Sequence, residues 1–160
     1  MSDKVSIAII EIKENSFVFK GEVVKKIDPK KIIINFNLGF DWDLEKEHFF
    51  IELAILYKYK INELEVEIAK LVTTTGFEVK GLNEILKLKN KGFEIPDFFM
   101  LTFVGAAVSS ARGMLTYKLA GTILANFHLP LVDPRDFLSQ INNVNNKKIA
   151  KKTVTKKASK

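Results

Sequence analysis

Lys31 to Ile61 read KIIINFNLGFDWDLEKEHFFIELAILYKYKI. The first twelve residues alternate. Ile32, Ile34, Phe36, Leu38, Phe40 and Trp42 fall on one side of an extended chain, with Ile33, Asn35, Asn37, Gly39 and Asp41 on the other. DLEKE then supplies a turn, and the alternation resumes with Phe49, Ile51, Leu53, Ile55, Tyr57, Tyr59 and Ile61 on a shared face. Two such runs joined by a short polar link predict an antiparallel pair with one core side and one wetter side.

Reading outward, Val5 to Lys13 alternates around isoleucines, and FVFKGEV continues it after KENS. This predicts one long, bent first strand over about Lys4 to Val24, followed by a turn at KIDPKK. Downstream, a KINE link leads to LEVEIAKLVTTTGFEV, in which Leu64, Val66 and Ile68 alternate against Glu63, Glu65 and Glu67. Four strands with short links make a meander the economical arrangement. LNEILKLKN, after Gly81, reads as a short helix.

Pro96 and Asp97 suit the first turn of a long helix, since proline lacks a donor that would be unused there and an acid complements the positive end of the dipole. That helix runs to about Gly121. Asp133 then caps a last helix, PRDFLSQINN, with Pro134 at its first position. The predicted class is α+β: a four-stranded antiparallel sheet meander with a long helix and a C-terminal helix packed on one face.

The long helix is apolar nearly all round, and a helix on a sheet needs only one apolar stripe. One flank therefore packs on the sheet, and the other calls for a second copy of the chain. Phe99, Phe103, Ala106, Ala107, Ser110 and Gly113 are the residues expected at that contact, their small members allowing close approach. A tight fit against the chain's own sheet is the alternative. Arg112, in the middle of the helix, requires an acid, a carbonyl or an exit to the edge, because an unpaired buried guanidinium is too costly. The uncharged run Phe98 to Ala111 falls short of the ~20 residues a spanning helix needs, so no membrane span is expected.

The chain has 160 residues, 47% of them hydrophobic, which is enough for one domain with a real core. Its net charge of +6 is a property of one end: residues 147–160, KKIAKKTVTKKASK, hold seven lysines and no acid, leaving −1 on the remainder. We read residues 1–144 as the folded unit and 145–160 as a basic tail whose composition does not favour order. The tail either aids solubility or attaches to RNA, the ribosome or an acidic partner. Without cysteine there is no disulfide or thiolate site, which suits a reducing cytoplasm, and MSDKVSIAIIEIK lacks the features of a signal peptide. His48 and His128 have no metal-ligand spacing, and no phosphate-binding loop or nucleophile motif occurs. The alternating glutamates fit a solvated strand face. No catalytic residue, metal or cofactor is expected, nor an enzyme.

The order of elements, together with SARGMLTYKLAGTILANFHLPLVDPRDFL (residues 110–138) and GFEVKG (residues 76–81), resembles the SecB family of export chaperones over about Val5 to Ile141. VDPRDFL stands where well-known members have a Val-Asn-Phe start to the last helix. The resemblance implies a cytoplasmic dimer of dimers with the long helices sandwiched between sheets, holding unfolded polypeptides in apolar grooves without ATP. By position, the client-binding residues it implies are Phe17, Phe19, Val23, Phe127, Leu129, Leu131 and Phe137, with Phe36, Phe40 and Trp42 as a floor. The link from Phe19 to Ile32 is shorter and less aromatic than the family's crossover loop. Glu63, Glu65 and Glu67 would be the acidic strand surface offered to a SecA-type motor. The basic tail departs from that contact, and relatives that hold an antitoxin give an alternative role. A nucleic-acid or ribosome-binding protein acting through the tail is a further alternative. A small-molecule carrier or enzyme on the same fold has no residue in its favour.

Overall fold

The computed structural model describes residues 5–89, 92–131, 133, 135 and 136. Strand β1 spans Ser6–Phe19, β2 Ile32–Asp43, β3 His48–Ile61 and β4 Leu64–Lys80. A one-turn helix α1, Leu82–Ile85, and a small hairpin of β5, Lys87–Lys89, with β6, Gly92–Glu94, lead into the long helix α2, Asp97–Leu119. The chain is α+β, with its helix on one face of a four-stranded antiparallel sheet.

Strands β2, β3 and β4 form the expected meander, but β1 does not extend it. The sheet order is β1-β4-β3-β2, so the first strand lies beside the last and the link from Phe19 to Ile32 crosses to the opposite edge. This is the Greek-key solution, which puts the long link over the sheet instead of at its end. Two 3-10 turns, Gly21–Val23 and Pro29–Lys31, shape that crossover. The first strand accordingly stops at Phe19 and not near Val24, which is buried in the core as part of the crossover.

The predicted faces of β2 and β3 hold. Phe49, Ile51, Leu53 and Ile55 are fully buried, and Ile32, Ile34, Phe36, Leu38, Phe40 and Trp42 pack around them, half-buried, from the neighbouring strand. Strand β4 changes phase. Tyr57 faces Ala69 but Lys58 faces Glu67, so Ile68 is an extra residue. Before it Val66, opposite Tyr59, is half-buried while Leu64 stays 70% exposed, and after it Leu71, Thr73, Thr75, Phe77 and Val79 are buried.

Helix α2 starts at Pro96, whose carbonyl accepts from the amides of Phe99 and Met100, and ends before Gly121, in the left-handed region at φ 76°. Met100, Phe103, Val104, Ala107, Val108, Ala111, Leu115 and Leu119 recur at helical spacing and are buried on β3 and β4. Each large member stabilises by roughly 1.5–3 kcal/mol when fully buried. By length and composition alone this helix could cross a bilayer, yet that stripe is packed on its own sheet.

The reading of LNEILKLKN as one helix is half right: Leu82–Ile85 is helical, and Lys87–Lys89 pairs with Gly92–Glu94. The hairpin carries Phe93 onto the far end of the core, 4.8 Å from the Trp42 ring and 5.5 Å from Phe40 between centroids. Of the predicted last helix, only Arg135 and Asp136 are among the described residues. There the Asp133 carboxylate accepts from the Arg135 amide, as expected of a cap.

Candidate functional site

Two irregular segments meet at the end of the sheet that holds the C-terminus of α2. One is the crossover, residues 20–31. The other is the return segment, residues 120–131, which leaves the helix through Gly121. Between them an open groove of about 780 Å³ is lined by Phe19, Lys20, Gly21, Glu22, Gly121, Thr122 and Ile123.

The shape of each wall has a local cause. On the crossover side the Phe19 ring folds back over Gly21, where an added β-carbon would stand 2.5 Å from the ring. Only glycine leaves that space. On the return side Thr122 donates its hydroxyl to the Leu119 carbonyl at 2.8 Å and accepts from the Leu124 amide at 3.1 Å, a local turn that takes the place of further helix. Ile123 is left 39% exposed at the lip while Leu124 is fully buried.

Both walls are fixed to the same strand. Tyr57 donates its hydroxyl to the Phe127 carbonyl at 3.0 Å, and the Tyr59 hydroxyl accepts from the Asp28 amide at 3.1 Å. The two tyrosines are separated by one residue of β3 and point to the same face. Burial pushes the Tyr57 hydroxyl up to about 12 by disfavouring the phenolate. The Arg112 guanidinium donates to the Pro130 carbonyl at 3.0 Å, so this arginine finds a carbonyl of its own chain. The gap between the return segment, α2 and Tyr57 is only about 10 Å³.

The structure sorts the client-binding residues implied by the resemblance. Phe17 and Phe19 are half-buried at the end of β1, with the Lys118 ammonium 5.4 Å from the Phe17 ring centroid and paired at 2.9 Å with Glu14. Val23 closes the first 3-10 turn, and its side chain lies outside the described residues, as does Phe137 entirely. Phe127 packs half-buried against the core. Leu129 is 5% exposed and belongs to the core, whereas Leu131, at 93%, is open to solvent. The alternation Phe127, Leu129, Leu131 thus splits, because the backbone after Asn126 is irregular and does not present a single face. Phe36 is half-buried on the inner face of β2, and Phe40 and Trp42 sit under Phe93, so these three serve as core.

Of the residues expected to meet a second copy, Phe103 and Ala107 are fully buried under the chain's own sheet and have no surface to offer. An all-round apolar helix gives no sign in sequence of which flank faces inward. Phe99, Ala106 and Ser110 lie half-buried on the flank, and Gly113 is exposed with open space beyond it. The outward surface is made of Phe98, Thr102, Ser109, Gly113, Thr116 and Tyr117.

The three glutamates do not share a strand face. Glu63 is in the two-residue turn between β3 and β4, where both Asn62 and Glu63 have positive φ, and it pairs with Lys60 at 2.8 Å. Glu65 pairs with Lys58 at 2.9 Å, and Glu67 is half-buried. Among the described residues no three His, Asp or Glu side chains lie together as a metal site requires. Gly21, Gly121, Ile123 and the tyrosine anchors were missed from sequence. The positive-φ glycine after a long helix and the paired tyrosines YKY were the available signals.

The groove offers shape, apolar surface and charge at one rim, and no convergent acid, base and nucleophile among its lining residues. No family model matches the chain, and no curated protein matches it in sequence. Among solved structures, the Mycobacterium tuberculosis Rv1957 SecB-like chaperone, in complex with a ChAD peptide from the Rv1956 HigA1 antitoxin, is similar at 15% identity. The alignment covers 79% of this chain and 90% of that one, with a TM-score of 0.49. A protein of unknown function from Streptococcus agalactiae is similar at 12% identity over 81% and 99% of the two chains, with a TM-score of 0.31. Neither likeness is close enough to carry residues or activity over to this chain.

Proposed function

We propose that this chain is a holding chaperone, acting without ATP, that binds segments of non-native polypeptide in the groove between the crossover and the return segment. The observation that carries the proposal is the groove itself: an open recess with Phe19 and Ile123 in its lining, between two segments that Tyr57 and Tyr59 tie to β3 at Phe127 and Asp28. Burial of apolar client surface at roughly 25 cal/mol per Å² before ordering costs favours many weak, unspecific contacts. We place it in the cytoplasm, with no enzymatic step and no cofactor.

A homo-oligomer, a dimer of dimers, fits the exposed flank of α2, where Gly113 and Ser109 permit close approach beside Phe98 and Tyr117. Export through a SecA-type motor draws less support, because Glu63 and Glu65 are already paired with Lys60 and Lys58. An antitoxin is the other client class, and a peptide of antitoxin type is a suitable probe. The lysines of residues 147–160 favour a second reading, attachment to nucleic acid or the ribosome. That binding would be salt-sensitive and lost with the tail, while client holding would survive the deletion.

The test is suppression of aggregation of a refolding client, followed by light scattering. Substoichiometric chain should reduce it, and Phe19→Ser with Ile123→Ser should abolish the effect while circular dichroism stays unchanged. No suppression at excess chain would overturn the proposal.

A further inference from the structure

The two walls of the groove differ in charge. The return wall, residues 121–131, GTILANFHLPL, carries no acid, lysine or arginine. The crossover, residues 20–31, KGEVVKKIDPKK, carries five lysines against two acids. Lys20 lines the groove, and Lys25, Lys26, Lys30 and Lys31 are exposed farther along the same crossover segment.

Those five ammonium groups are unspent. None forms an ion pair among the described residues, whereas Lys58, Lys60 and Lys118 elsewhere are each held by a glutamate. The two crossover acids do not cancel them. Asp28 turns its carboxylate to the Lys30 amide at 3.0 Å to cap the second 3-10 turn, and Glu22, on the groove, is a single charge. At physiological ionic strength charges act over about 8 Å, so a segment that leaves the groove along the crossover passes Lys20 first and then the other lysines in turn.

Resting on the holding function proposed above, we infer that the groove selects polypeptide segments in which aspartate or glutamate flanks apolar side chains, and disfavours segments flanked by lysine or arginine. The apolar part is buried against Phe19 and Ile123, and the flanking carboxylates meet the lysines at the rim. Attraction on the correct segment and repulsion of the basic one both contribute to the choice.

Two labelled peptides with one shared apolar core, one flanked by glutamates and one by lysines, are titrated with the full chain and followed by fluorescence anisotropy. The glutamate-flanked peptide should bind about tenfold more tightly at low salt, the sum of several exposed pairs, and the gap should close as salt rises. The full chain carrying Lys25→Glu, Lys26→Glu, Lys30→Glu and Lys31→Glu, with its tail lysines intact, should reverse the preference. Equal binding of the two peptides, or a preference that survives the charge reversal, would overturn the inference and leave the holding function standing. Binding of neither peptide would overturn the holding function and the inference with it. Displacement of the acidic peptide by an oligonucleotide of matched charge, seen with the native chain and lost on charge reversal, would show a general anion site and overturn the polypeptide selectivity.

Discussion

Tyr57 and Tyr59 reach from one face of β3 to opposite walls of the groove, Tyr57 to the Phe127 carbonyl and Tyr59 to the Asp28 amide. The most regular part of the molecule thereby sets the spacing of its two irregular segments. An edge strand would make a poorer anchor, but β3 is hydrogen-bonded on both sides, to β2 and to β4.

Removing one hydroxyl should loosen one wall. Tyr57→Phe keeps the buried ring and loses the bond to Phe127, so we expect a cost of about 0.5–1.5 kcal/mol in urea unfolding. Hydrogen exchange should accelerate in residues 120–131 and stay unchanged along β3.

The same residue sets an alkaline limit. Its folded value of about 12 lies above the ordinary 10.0, because burial favours the neutral phenol. The stability this contributes is whole below pH 10 and is lost as pH rises through about 12. Tyr57→Phe should flatten this part of the stability curve, measured by unfolding at a series of alkaline pH values.

Thr75 is fully buried between sheet and helix, and its hydroxyl has no partner among the described residues. Valine fills the same space without a polar atom. Thr75→Val should therefore stabilise the fold by about 1 kcal/mol, read as a higher urea midpoint with an unchanged slope.

Gly21→Ala tests the Phe19 side of the groove. The added methyl would occupy the space of the ring, which must swing away, while the backbone there needs no positive φ. Client affinity should change by several fold with a thermal midpoint close to that of the native chain. Unaltered affinity would exclude Phe19 from the contact.

Gly113→Trp tests assembly where the helix is open. A β-carbon added at Gly113 meets nothing within 4 Å, so the fold should persist and the solution mass by light scattering should fall if copies pack there. Ala107→Trp is the contrasting change: it overpacks a fully buried site and should destabilise the monomer by roughly 1–3 kcal/mol or more, read as a lower urea midpoint.

Local pattern carried much of the architecture. The alternation from Ile32 to Ile61 named both strands, their faces and their pairing, because neighbouring strands with a short link are a local matter. Pro96, Asp97 and Gly121 bracketed the helix for the same reason. The place of β1 was not legible, since either free edge of the meander accepts a strand and the choice depends on contacts of the crossover with Tyr59 and the core. Leu129 was misassigned because its neighbours Phe127 and Leu131 look alike in sequence and differ only in where an irregular backbone turns them.

The seating of β1 beside β4 also bears on how the molecule comes into being. Ser6 meets Lys80 and Phe19 meets Ala69, so the segment synthesised early has no partner until the fourth strand has left the ribosome. Contacts so distant along the chain are slow to close, and the β2-β3-β4 core should form before β1 arrives. During that wait Ile7, Ile9, Ile10 and Ile12 are an unmated greasy ribbon, open to pairing with other chains.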